Sequence, residues 1–254
     1  MQALIGISLL LFVATTALVG VRMLLLARRT GERPELLMGA GMVLIGGIGY
    51  PGGIVSRFGL GSVGAMSFPL WFISTACTQL GIALIYAFTW QVFRAKDPWA
   101  KVLVVGGVGF MVAGLAAMAH ALATAPPSAD SALVTRGPIF IGMVGYAGCF
   151  LWTALEGFHH HRMALRRLAL GLTDPIVANR FFLWGFFGLM ASALTAISAV
   201  TTLLGGRPSG TPITMLPMGV LGAAAATAMY LAFFTPAWYV GWLRSQARNS
   251  TGRI

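Results

Sequence analysis

The sequence predicts an all-α integral membrane protein, a seven-transmembrane-helix bundle with its N-terminus outside and its C-terminus cytoplasmic. Seven apolar segments, each long enough to cross a bilayer, fill nearly all of the 254 residues. The composition agrees, with 57% hydrophobic and only 9% charged residues. Basic residues gather in alternate connections between the segments, which sets the orientation. As a helix, about 20 apolar residues span roughly 30 Å of hydrocarbon. Lipid offers no partner to a backbone N–H or C=O, so each segment must satisfy its own, as a helix does. Short segments of alternating polarity are absent, which excludes an outer-membrane barrel.

The expected spans are 3–27, 34–55, 68–93, 98–122, 138–159, 176–204 and 213–242, forming one domain over residues 1–254. The first lacks a positive n-region and its charge follows rather than precedes it, so it is a retained reverse anchor and not a cleaved signal. Pro34 opens the second, whose Gly49 and Gly53 make a GxxxG pair suited to close helix packing. The third starts near Ser67 and Pro69. Asp97-Pro98 opens the fourth, a capping side chain before a proline at the first helical position. Its run Gly106, Gly107, Gly109 and Gly114 is mid-helix with no strand before it, so it is no phosphate loop. An irregular outer segment, about 123–137, leads to the fifth span at Pro138. After it, His161 to Thr173 forms either a short interfacial helix or an extension of the fifth span. Asp174-Pro175 opens the sixth span, and Gly205-Gly206-Arg207-Pro208 closes it. Thr211-Pro212 opens the seventh, where Pro236 either kinks the helix or marks its loosening near water. Cys77 and Cys149 both fall inside spans, so no disulfide framework is expected.

The net charge is +11. With the N-terminus outside, Arg22, Arg28, Arg29, Arg33, Arg94, Lys96, Lys101, Arg162, Arg166, Arg167, Arg180, Arg244, Arg248 and Arg253 face the cytoplasm. Only Arg57, Arg136 and Arg207 lie outside, a split of 14 to 3. The positive-inside rule gives that orientation, and the basic face suits the anionic headgroups of membrane lipids. Nucleic acid is not an expected partner, because no basic–aromatic reading surface exists. A protein partner at the inner loops remains open.

Ionisable residues inside the membrane are the best pointers to function. Three qualify: His120 near the outer end of the fourth span, and Glu156 and Arg180 near the inner ends of the fifth and sixth. Glu156 lies roughly 27 Å along its helix from Pro138, out of reach of His120. Consecutive antiparallel spans bring Glu156 and Arg180 to similar depth, which predicts a Glu156–Arg180 ion pair able to serve as a switch. A rival reading uses Glu156, His159 and His160 as metal ligands, since Glu and His three or four apart share a helix face. No second Glu-x-x-His supports it. An uncharged group, Gln79, Tyr146, Thr195 and Tyr230, lies at overlapping depths and predicts a cavity for a small apolar or lipidic molecule. Arg162, Arg166 and Arg167 form a basic stripe facing lipid or a partner.

Lys96 and Lys101 are both in an inner loop, so the last span has no Schiff-base lysine and retinal is excluded as a cofactor. No other cofactor is expected. The third span ends Thr-Trp-Gln-Val-Phe-Arg, without the Asp/Glu-Arg-Tyr of G-protein-coupled receptors. Arg29-Thr-Gly-Glu-Arg-Pro-Glu-Leu-Leu-Met-Gly39 and Leu231-Ala-Phe-Phe-Thr-Pro-Ala-Trp-Tyr239 look like stretches of small bacterial seven-helix membrane proteins. That resemblance implies a bacterial inner-membrane protein and no activity. The expected function is a non-enzymatic sensor or receptor-like module binding within the helix bundle. A lipid or solute translocator and a metal-dependent enzyme on Glu156, His159 and His160 are the alternatives.

Overall fold

Seven helices long and apolar enough to cross a membrane make up the bundle, as the sequence requires of a multi-pass membrane protein. The computed structural model describes residues 2–56, 64–124, 131–204 and 212–251. Helix α1 is Gln2–Thr30. The second span is continuous but changes register, as α2 (Arg33–Met42), a π-helical stretch (Val43–Gly49) and α3 (Tyr50–Ile54). There follow α4 (Gly64–Phe93), α5 (Pro98–Thr124), α6 (Ser131–Ala169) and α7 (Pro175–Leu203). Helix α8 (Pro212–Phe234) and the short α9 (Ala237–Thr251) complete the order. The spans close into a ring: α1 packs on α2, α2 on α4, α6 on α7, α7 on α8, and α8 back on α1. Helix α5 stands outside the ring, mainly against α6. Its Val102, Val105 and Val112 are exposed, as a lipid-facing helix requires.

The turns follow local chemistry. Gly31 (φ 73°) and Gly171 (φ 68°) take the left-handed conformation that only glycine adopts without cost. They allow the tight connections from α1 to α2 and from α6 to α7. Asp174 caps α7 by accepting from the Ile176 amide at 2.8 Å, with Pro175 at the first helical position. Asp174→Ala should therefore cost about 1 kcal/mol in a denaturation series. Asn should recover most of that loss.

Four expected boundaries differ. Helix α6 begins at Ser131, so Pro138 lies inside it and residues 131–137 are helical rather than irregular. Pro69 likewise falls inside α4. A proline inside a membrane helix is tolerated where neighbouring helices satisfy the freed carbonyl. Helix α6 also runs on to Ala169, so the segment after His161 is an extension of the fifth span. The seventh span ends at Phe234 and not at 242. Thr235 takes φ 40° and Pro236 follows it; the α region is disfavoured before proline, which ends α8 at Phe234. Gly205-Gly206-Arg207-Pro208 and Thr211 lie outside the described residues.

Candidate functional site

The basic face, where the chain passes from α4 to α5 and from α6 to α7, holds a buried carboxylate. Glu156 is 3% exposed on α6. Trp152, Glu156 and His160 recur at i, i+4 and i+8, so they line one side of that helix. Arg94, one residue past the end of α4, donates from Nε to Glu156 Oε1 at 2.7 Å. Trp152 Nε1 donates to the same oxygen at 3.2 Å. The Arg94 Nη1 turns to Asp97 Oδ2 at 3.4 Å, and the guanidinium lies over the Trp99 ring, 5.6 Å from its centroid. The hydrogen bond from Glu156 raises the Arg94 pKa above its ordinary value, so this cation stays charged. His160 Nδ1 lies 3.0 Å from the Glu156 carbonyl oxygen, which can only accept, so that nitrogen carries a proton. It stands 3.7 Å from Glu156 Oε2, which has no hydrogen-bond partner among the described residues.

The expected Glu156–Arg180 pair is thus corrected to Glu156–Arg94. The register of α6 on α7 gives the reason. A Cβ on Gly157 would stand 2.5 Å from Gly185 Cα, and one on Gly188 would stand 2.7 Å from the Ala154 amide nitrogen. That register puts Arg180 level with Arg162, six residues or roughly 9 Å along the axis from Glu156. Arg180 instead donates to Thr235 Oγ1 at 3.4 Å, beside the break between α8 and α9. Next to it Asn179 and the Tyr239 hydroxyl bond at 3.0 Å, tying α9 to α7.

The weak metal candidates do not converge. Glu156 is committed to Arg94 and Trp152, His160 bonds a carbonyl, and His159 is exposed. His161 bonds the Ala178 carbonyl at 2.8 Å. Among the described residues no three His, Cys, Asp or Glu side chains gather in a way that could hold a metal ion. His120 is exposed on α5. Arg162, Arg166 and Arg167 are exposed on the extension of α6.

Of the uncharged group, three members come together and one does not. Tyr146 and Thr195 line one internal void, and Gln79 meets the Tyr146 side chain. Tyr230 is 43% exposed and stacks on Phe234 at 5.2 Å, away from the others. The void measures about 30 Å³. Ligand pockets run to about 300–1,000 Å³, so this space does not hold a lipidic molecule. A larger space lies on the lipid side of the basic face, a groove of about 640 Å³ between the end of α1 and the start of α2. Val21, Leu24, Leu25 and Leu36 form its apolar wall, and Arg28, Glu32 and Arg33 lie at its polar end. Sequence reasoning missed this groove because its residues read as an ordinary loop and two ordinary helix ends. Arg94 was missed too, although spans three and five run the same way and reach the basic face at matching depth. The chain matches no protein-family model, no curated protein and no solved structure.

Proposed function

We propose that this multi-pass membrane protein is a non-enzymatic, receptor-like module whose ligand is a lipidic molecule with an acidic head. The observation that carries this reading is the groove of about 640 Å³ between α1 and α2. Its wall suits an acyl chain, and its polar end has two arginines to one glutamate. The N-terminus of α2 opens there as well, and free N–H groups with a positive dipole end favour an anion. The basic face is cytoplasmic in this reading and the membrane is a bacterial inner membrane, which the distribution of lysine and arginine supports. Exposed Arg162, Arg166 and Arg167 add a second contact for anionic headgroups.

Occupancy has a packed route inward. Helix α2 runs into the π-helical stretch, which packs on α4, and the chain just past α4 presents Arg94 to Glu156. A ligand shifts such a pair only if it binds one arrangement better than the other. Native mass spectrometry of protein released from nanodiscs containing phosphatidylglycerol and phosphatidylcholine tests the reading. A one-to-one phosphatidylglycerol adduct is expected, reduced at least fivefold by Arg28→Gln with Arg33→Gln. Equal retention of both lipids, or retention unchanged in the double variant, would remove the support for this groove.

A further inference from the structure

The second span abandons α-helical register where it packs between α1 and α4. Over Val43–Gly49 it is π-helical, and the Tyr50 amide bonds the Ile45 carbonyl instead of the Gly46 carbonyl. The next residue, Pro51, has no N–H to give. In this register Gly46 therefore keeps a carbonyl without a donor from its own helix. Gly46 is buried, packed directly on Thr16 of α1. A buried carbonyl without a partner costs about 1–3 kcal/mol, so native structures supply one.

Beside this turn lies the void of about 30 Å³. Four hydroxyl side chains, Thr16, Tyr50, Tyr146 and Thr195, line it together with Ile45 and Ile82. A water needs a void of roughly 10–15 Å³ and two to four polar partners, whereas purely apolar voids stay dry. Thr16 already donates to the Phe12 carbonyl at 2.6 Å and Thr195 to the Ala191 carbonyl at 2.9 Å. Both oxygens keep lone pairs that can accept from a guest. The void thus offers acceptors to a small molecule that donates, and the Tyr146 hydroxyl to one that accepts.

We infer that this void is a water site, holding one or two molecules among Thr16, Tyr50, Tyr146 and Thr195 between the helices. The bound water lies against Ile45 and Tyr50, the two residues whose backbone hydrogen bond sets the π register just before Pro51. It makes the turn at Val43–Gly49 a hydrated hinge, since water inserted beside a helix ladder is a recognised cause of local bending. The site is independent of the lipid groove and stands whether or not that groove binds lipid.

Magic-angle-spinning NMR of the whole protein in deuterated bilayers tests it, by magnetisation transfer from water to protein. Slowly exchanging water cross-peaks are expected at the amides of residues 45–50 and at the Tyr146 ring. Tyr146→Phe should abolish them while leaving the surface cross-peaks in place. Their absence from the unmutated protein would overturn the inference. So would uptake of xenon at the Ile45 and Ile82 methyl groups of the unmutated protein, the mark of a dry void.

Discussion

Arg94→Met is expected to destabilise the bundle by about 2–4 kcal/mol, one of the largest effects of any single change at the basic face. Arg94 itself is 29% exposed, but the carboxylate that it serves is buried at 5% side-chain exposure. Removing the guanidinium leaves that charge with the Trp152 hydrogen bond and the His160 ring 3.7 Å away, and breaking a buried pair on one side typically costs about 3–5 kcal/mol. Partial solvent access to Arg94 places the expected figure at the lower end. The double variant Arg94→Met with Glu156→Met should regain at least half of the loss, because no buried charge then remains. Arg180→Met removes an exposed guanidinium that donates to the Thr235 hydroxyl, and should stay within about 0.5 kcal/mol. Reversible unfolding in mixed micelles, run as a double-mutant cycle, measures all three. A loss below about 0.5 kcal/mol for Arg94→Met would show that water, and not Arg94, balances Glu156.

Gly157→Leu should abolish folding of the bundle or cost more than about 3 kcal/mol. At Gly157 even a methyl group would lie 2.5 Å from the backbone nitrogen and Cα of Gly185, and backbone cannot rotate aside. The helices would have to separate along the most extensive contact in the molecule, that of α6 with α7. Close backbone approach at small residues is the main source of association between helices in lipid. Gly106→Ala and Gly109→Ala on α5 are the counter-case, since a Cβ at either meets nothing within 4 Å. Each should be neutral or stabilising by up to about 1 kcal/mol through helix propensity. A thermal unfolding series in detergent separates the two classes. Equal losses at Gly157 and Gly106 would mean that the register of α6 on α7 is wrong.

Glycine shows how far pattern reading reaches. Gly106 and Gly157 look alike in sequence, each a small residue in an apolar span. Only the neighbouring helix makes one indispensable and the other dispensable. The error over Glu156 has a similar origin. Ending the fifth span at 159 put Glu156 one turn from the membrane boundary and level with Arg180. The helix instead continues to Ala169 and turns at Gly171, which moves the level of Glu156 on α7 from Arg180 to about Phe186. The ten residues 160–169 do not stop the helix, because eight of them are Ala, Leu, Met or Arg, all good helix formers, and no breaker comes before Gly171. The break at Thr235 was legible as a proline, but its consequence, a separate α9 tied by Tyr239 to Asn179, was not.

Length and apolarity determine on their own that this is a multi-pass membrane protein with seven helices able to cross a bilayer. Those properties act segment by segment, through the cost of an unsatisfied backbone in hydrocarbon, and need no knowledge of neighbours. The partner of Glu156, the exposure of Tyr230, the water-sized void and the groove between α1 and α2 depend on register and rotation between helices. These are set by a few ångströms of side-chain and glycine packing summed over several interfaces, and tertiary structure alone decides them.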